Sequence, residues 1–246
     1  MKARVDLLLV QRGLITSRER ARSIILAGKV FSGARRVDKA GEQLSLDAPL
    51  EVRGGDHPYV SRGGVKLQGA LEAFGYDPKG FVAIDVGAST GGFADCLLQR
   101  GARKVYTVDV GYGQLHDKLR RDHRVVVMER TNARYLKPEE LPETIDLAVV
   151  DVSFIGLEKI LGPVASLLRR GGDLLALVKP QFEVSRKAVG KGGVVRDQKE
   201  RAAAIRRVEE LAVGSGLSVL GHSDAVIKGP KGNQEHFIWL RKTGNI

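Results

Sequence analysis

The stretch Ile84-Asp85-Val86-Gly87-Ala88-Ser89-Thr90-Gly91-Gly92-Phe93-Ala94 decides how this chain folds. The apolar, β-branched residues over 81–86 read as a buried strand. Gly87, Gly91 and Gly92 then form a turn without side chains, so a ligand can lie against backbone N–H groups where the next helix starts. Asp85, near the strand's carboxyl end, faces the crevice in which open α/β sheets bind ligands. The glycines are spaced G-x-x-x-G-G, not G-x-G-x-x-G as in dinucleotide folds, and the lysine and hydroxyl of a phosphate-cradling loop are missing. A second acidic residue, Asp109, ends the next strand 24 positions later. That interval suits a grip on ribose hydroxyls. A ribose-bearing ligand without a pyrophosphate fits best, and S-adenosylmethionine is the common one. A dinucleotide, or a tight turn with no ligand, are the alternatives.

Outward from this turn the pattern repeats. Strands are expected over 81–86, 105–109, 125–129, 145–151 and 174–179, with helices over 65–74, 93–100, 114–121 and 157–169. Near-continuous apolar strands alternating with helices signal a parallel sheet covered on both faces. Two late strands, 217–221 and 236–241, bring the number to about seven. Polar residues recur at the carboxyl ends: Asp85, Asp109, Thr131-Asn132-Ala133, Asp151 and Lys179. That rim is the binding edge of such sheets. Asp85, Gly87, Ala88, Ser89, Gly91, Gly92, Phe93, Asp109, Val110, Asn132, Ala133 and Asp151 are therefore the candidate cofactor-binding residues.

The chain has 246 residues, room for one large domain and a small one, and its 43% hydrophobic content supports a proper core. A formal charge of +11 and a pI near 9.9 point to a polyanionic partner, nucleic acid before membrane. No apolar run approaches the roughly 20 residues that span a bilayer. The N-terminus alternates arginines with apolar residues, unlike a signal peptide. The sole cysteine, Cys96, excludes an intrachain disulfide or a cysteine metal cluster. A reducing cytoplasmic setting is the resulting expectation, with no metal required.

The first sixty residues read differently. A short helix over 5–12 turns Leu8 and Leu9 inward. Thr16 and Ser17 are candidate N-caps for a second helix over 18–27. Ala21, Ile24, Ile25 and Gly28 make its buried stripe, while Arg18, Arg22 and Lys29 fall on another face. Gly33-Ala34-Arg35-Arg36 is a basic turn between short strands. A helix pair with a basic face over a small sheet reads RNA shape and phosphates more readily than base sequence. Arg4, Arg18, Arg20, Arg22, Lys29, Arg35 and Arg36 are its candidate RNA contacts. Gly54-Gly55-Asp56-His57-Pro58 reads as a linker, giving domains of 1–57 and 58–246. In the second, Arg62 and the basic loop residues Lys187 and Lys191 are further candidates for RNA contact.

Arg4-Val5-Asp6-Leu7-Leu8-Leu9, Ser17-Arg18-Glu19-Arg20-Ala21-Arg22 and Ala27-Gly28-Lys29-Val30 resemble the small RNA-binding domain first described in ribosomal protein S-four. The whole chain, from about Arg4 to Arg241, resembles the TlyA (haemolysin A) family, which joins such a domain to an FtsJ-like RNA ribose methyltransferase. The resemblance rests on Tyr59-Val60-Ser61-Arg62-Gly63-Gly64-Val65-Lys66-Leu67, the glycine turn itself, Asp109-Val110-Gly111-Tyr112-Gly113, Asp151-Val152-Ser153-Phe154, Lys179-Pro180-Gln181-Phe182-Glu183 and Gly229-Pro230-Lys231-Gly232-Asn233-Gln234-Glu235. It implies a class I, Rossmann-like methyltransferase fold with a seven-stranded, mostly parallel sheet whose last strand is antiparallel, plus the small N-terminal α+β domain. It also implies S-adenosylmethionine as cofactor, ribosomal RNA or a ribosomal subunit as partner, and a catalytic tetrad of Lys66, Asp151, Lys179 and Glu235. On this reading Lys179 holds or accepts the ribose 2′-OH proton, and a lysine works as a base only when burial or a neighbouring cation lowers its pKa. Three other readings compete: an RNA-binding assembly factor with little catalysis, a cytolysin as the family's historical name suggests, and a base-modifying methyltransferase. The last lacks its Asn-Pro-Pro-Tyr signature, in whose place stands Asp151-Val152-Ser153-Phe154.

Overall fold

A computed structural model describes residues 2–15, 17–52, 57–229 and 231–244, and within it the chain divides into two compact units, Met1–Pro58 and Tyr59–Ile246. In the first, β1 (Lys2–Arg4) leads directly into α1 (Val5–Gln11), and α2 (Arg18–Leu26) follows. The Ser17 side chain accepts a hydrogen bond from the Arg20 N–H and so caps α2, as the sequence led us to expect of this serine. Thr16 and residues 54–56 of the expected linker lie outside the described residues. Short strands β2 (Val30–Ser32), β3 (Arg35–Arg36), β4 (Gln43–Ser45) and β5 (Glu51–Val52) form two small antiparallel sheets, β3-β2-β5 and β1-β4. Val5, Leu9, Ile15, Ala21, Ile24, Ile25, Val30 and Val37 make the core.

In the second unit α3 (Arg62–Phe74) precedes β6 (Val82–Val86), α4 (Gly92–Gln99), β7 (Lys104–Val108), α5 (Asp117–Arg120), β8 (Val125–Met128) and β9 (Ile145–Val150). Next come α6 (Leu161–Leu167), β10 (Leu168–Val178), α7 (Pro180–Glu183), α8 (Gln198–Gly214), β11 (Leu217–Asp224) and β12 (His236–Lys242). The seven strands lie in the order β11-β12-β10-β9-β6-β7-β8, and only β12 runs against its neighbours. Alternate residues of each strand enter two different cores. Ile84, Tyr106, Ala148 and Ala176 pack with α6 and α8 on one face, while Ala83, Val105, Leu147 and Leu175 pack with α3, α4 and α5 on the other. This two-sided burial is why the strands read as continuous apolar runs.

Several expected boundaries move. The helix expected over 157–169 is a single 3₁₀ turn followed by α6, because β10 begins at Leu168, six residues before the expected start. A register shift between Leu168 and Asp173 absorbs Gly171 and Gly172. The helix expected over 114–121 shrinks to the four residues of α5. α3 starts at Arg62, so Lys66 stands in its second turn and not its first. The 17-residue α8 has no counterpart among the expected elements, although Asp197 caps it and its buried Ala204, Val208 and Ala212 are spaced four apart.

The chain reverses direction within the sheet between β6 and β9. From β6 it builds outward through β7 and β8, then returns to β9 on the other side. The carboxyl ends of β6 and β9 therefore diverge into a crevice. Away from it, Asp173 ties β10 to β12 and to the segment after α3: it accepts hydrogen bonds from the Tyr76 hydroxyl (2.9 Å), the Trp239 indole N–H (3.0 Å) and the Arg241 guanidinium (2.9 and 3.1 Å). Asp173→Ala leaves the buried Tyr76 donor without its acceptor and is expected to cost about 2–3 kcal/mol in urea unfolding, with Asp173→Asn costing less.

Candidate active site

The register of the sheet brings the rim residues level. Val86 pairs with Val108 and Val150, and Val178 at the end of β10 pairs with His236 at the start of β12. Antiparallel β12 thus delivers its amino end to the rim where the other strands deliver their carboxyl ends, and Glu235 arrives beside Lys179. Lys66, Asp151, Lys179 and Glu235 all line one cavity of about 420 Å³. They form two ion pairs. Lys66 Nζ donates to Glu235 Oε2 at 2.5 Å, with both side chains buried. Lys179 Nζ lies 2.5 Å from Asp151 Oδ1 and donates to Ser153 Oγ at 2.7 Å. The Lys179–Asp151 contact has ion-pair distance without hydrogen-bond alignment, so Asp151 Oδ1 is a buried oxygen held by charge alone.

Lys66, Asp151, Ser153 and Lys179 also line a second cavity, of about 400 Å³, whose walls include Asp85, Gly87, Ala88, Ser89, Gly92 and Phe93. Asp85 Oδ2 accepts from the Ala94 N–H at 2.9 Å, while Oδ1 is buried without a hydrogen-bond partner. Burial pushes the Asp85 carboxyl up to about 8; the Ala94 hydrogen bond works against this, and the negative charges of Asp151 and Asp109 add to it. A third cavity, of about 510 Å³, is lined by Asp109, Val110, Asn132 and Ala133 and shares Gly87, Ser89 and Asp151 with the second. Asp109 already accepts two backbone hydrogen bonds, from Ser89 N–H (2.8 Å) and Gly111 N–H (2.7 Å), which lock the turn to the end of β7.

The glycines do more than clear space for a ligand. A Cβ on Gly87 would stand 2.7 Å from the Asp151 carbonyl oxygen, and one on Gly92 would stand 2.2 Å from Ser61 Oγ. They let β9 and the start of α3 close against the turn. Gly91 carries φ +91, and a Cβ there would strike Leu119; it is not a residue of either cavity wall. Of the expected cofactor set, Gly91 is thus the one the structure gives to packing.

The expected RNA contacts fall into distinct groups. Arg62 lines the Asp85 cavity and donates to the Lys228 carbonyl at 3.0 Å. Lys187 and Lys191 are exposed on the segment between α7 and α8. In the small unit Arg35 pairs with Glu42 (2.5 Å) and Arg36 with Asp38 (2.6 Å), Arg20 donates to the His57 carbonyl (3.2 Å), and Lys29 is half-buried. Arg4, Arg18 and Arg22 all contact Asp6.

Sequence reasoning assigned no role to Ser61, Ser153, Phe154 or Asn233. Phe154 is 92% exposed and holds φ +65, which a non-glycine residue rarely adopts. Its ring lies 5.4 Å from that of Phe182, and it lines two of the three cavities. Asn233 is buried and binds the backbone of the basic segment through Val195 N–H (2.9 Å) and the Gly193 carbonyl (2.8 Å). The only signal for these four residues in the sequence was membership of the family motifs that also hold Lys66, Asp151 and Glu235.

Residues 59–242 match the family described as FtsJ-like methyltransferase. The chain belongs to that family. It is 47% identical over 241 residues to the 16S/23S rRNA (cytidine-2′-O)-methyltransferase TlyA of Mycobacterium tuberculosis, covering 98% of this chain and 90% of that one. It is 39% identical over 239 residues to hemolysin A of Brachyspira hyodysenteriae, covering 96% and 99%. A solved Streptococcus thermophilus structure, 44% identical, superposes with a TM-score of 0.78 over 98% of this chain and 89% of its own. The chain is therefore a TlyA/haemolysin A relative with the α/β methyltransferase fold, as its motifs implied.

The raised Asp85 carboxyl has a consequence for stability. Its folded value lies far above the ordinary carboxylate value, so the folded chain keeps a proton that the unfolded chain releases from about pH 4, and stability falls as pH rises from there to about pH 8. Asp85→Asn removes the buried charge. We expect its melting temperature, without ligand, to lie near the parent's at about pH 4 and to exceed it by a margin that widens up to about pH 8, in thermal unfolding followed by circular dichroism.

Proposed function

We propose that this chain transfers a methyl group from S-adenosylmethionine to a ribose 2′-hydroxyl of ribosomal RNA. The observation that carries the reading is the pair of buried lysine–carboxylate contacts opening on a cavity that shares Lys66, Asp151, Ser153 and Lys179 with the cavity of Asp85. The M. tuberculosis relative is named for that reaction on cytidine, which supports the same class of substrate here.

The residues fit the cofactor. Asp85 Oδ1 is a buried carboxylate oxygen lacking a partner, and the α-ammonium of S-adenosylmethionine is the kind of cation it lacks. Asp109, with Val110, Asn132 and Ala133, frames the cavity for the nucleoside; each Asp109 oxygen has accepted one backbone N–H and keeps capacity for a ribose hydroxyl. Bound there, the cofactor supplies a methyl group already activated by its sulfonium. The protein's share is then mostly alignment, worth up to roughly 7–11 kcal/mol.

Lys179 Nζ, fixed between Asp151 and Ser153, holds the 2′-oxygen; after giving one of its own protons to solvent, the neutral amine takes the hydroxyl proton as the methyl group is transferred. Lys66, fixed by Glu235, places a second positive charge on the same cavity and favours the developing 2′-oxyanion. Phe154 offers an exposed ring on which a base splayed out of its helix can stack. Lys187 and Lys191 contact the phosphate backbone, and the small unit acts as an RNA-binding domain of the S-four type. The described residues hold no group of three or more His, Cys, Asp or Glu side chains suited to a metal ion, and none of their helices is long and apolar enough to cross a membrane.

Lys179→Ala should abolish incorporation of tritiated methyl groups into ribosomal RNA while leaving S-adenosylmethionine binding, by calorimetry, within a few fold. Strong residual turnover would remove Lys179 from the chemistry. Phe154→Ala should raise KM for RNA by about tenfold, in keeping with the 1–3 kcal/mol that one base–aromatic stack is worth, and leave cofactor affinity unchanged.

A further inference from the structure

In the small unit three arginines share one carboxylate. Asp6, the second residue of α1, is completely buried, yet its partners are half-exposed guanidinium groups. Arg4 approaches it in two-pronged fashion, Nε to Oδ1 and Nη2 to Oδ2, both at 3.0 Å. Arg18 Nε donates to Oδ2 at 3.0 Å and Arg22 Nε to the same oxygen at 3.4 Å. These hydrogen bonds, the one from Arg4 first, hold the Asp6 carboxyl well below the usual carboxylate range.

The arrangement differs from two other acid–base contacts of the unit. Arg35–Glu42 and Arg36–Asp38 are one-to-one pairs that cancel their charge. The Asp6 cluster sums three positive charges against one negative and keeps a surplus of two. Asp6 also engages Arg18 and Arg22 only through Nε, so it takes none of the terminal amino groups with which an arginine fork grips a phosphate. Three guanidinium groups this close repel one another, and each long side chain loses rotamer freedom when held in place. One buried carboxylate at their centre offsets the repulsion and fixes the planes before any ligand arrives.

We propose that Asp6 is a positioning residue for nucleic-acid binding: a buried anion that orients Arg4, Arg18 and Arg22 as one preformed site for the phosphodiester backbone of RNA. This deepens the reading of the small unit as an RNA-binding domain and rests on it. Its consequence runs against simple electrostatics. Removing a negative charge from a basic protein tightens its grip on a polyanion, whereas removing an organiser loosens it.

The test uses the full chain, deproteinised ribosomal RNA as probe, and filter binding across a salt series. Asp6→Asn raises the net charge by one, yet is expected to weaken binding by about tenfold and to flatten the slope of log K against log salt by about one, as when one fewer phosphate is neutralised. Because Asp6 is buried, Asn there can also unsettle the fold, so a second variant carries the question independently. Arg18→Lys combined with Arg22→Lys keeps every charge and removes only the forks; several-fold weaker binding with an unchanged melting temperature supports the proposal. Tighter or equal binding by Asp6→Asn with its fold intact, or unchanged binding by the double lysine variant, overturns it. If the parent chain itself neither binds nor methylates ribosomal RNA, the functional reading fails instead, and this inference with it. S-adenosylmethionine binding, measured in parallel, is expected to be the same in all variants.

Discussion

Two ammonium groups sit largely out of water at the rim of one sheet because each has a carboxylate within 2.5 Å. An unpaired buried charge of this kind is costly, so each lysine commits its partner to a fixed place. Those partners come from distant parts of the chain. α3 supplies Lys66, the end of β9 supplies Asp151, the end of β10 supplies Lys179, and the residue before β12 supplies Glu235. The pairs therefore require the right order of strands, the right register, and one strand running backwards.

The antiparallel strand is the least obvious of these requirements. In a wholly parallel sheet every strand brings only its carboxyl end to the binding edge. β12 brings its amino end, and the residue before it is a glutamate whose oxygen reaches across to α3. Asn233, two residues earlier, binds the loop that follows α7. One short segment thus closes the ion pair with Lys66 and holds the basic loop beside the same cavity.

Asp85 shows the opposite economy. It is buried at the switch point with one oxygen unpartnered and two further carboxylates nearby, an arrangement that destabilises the ligand-free chain increasingly as pH rises toward about 8. Buried polar groups without partners are rare in native structures and call for an explanation. On the proposed function, the α-ammonium of the cofactor supplies it. The local loss of stability on one side of the rim and the compensated charges on the other belong to the same crevice.

Much of this was legible in the amino-acid sequence, because continuous apolar runs, a glycine turn and polar residues at strand ends are local patterns. They placed Asp85 and Asp109 on neighbouring strands and pointed to a parallel sheet. The family motifs added the antiparallel last strand and the four residues Lys66, Asp151, Lys179 and Glu235. Other features were decided only by tertiary structure. α8 mixes charged and apolar residues, so its pattern is weak until the sheet gives its alanines and valine something to pack against. The length of β10 depends on Leu168 pairing with Ile145 of β9, ahead of a glycine pair that reads as a break. Arg4, Arg18 and Arg22 look like an open basic face in sequence, yet folding turns them onto Asp6, sixteen residues from the farthest of them. Sequence spacing determines which face of a helix a side chain occupies; which opposite charge it meets is set by the packing of elements far apart in the chain.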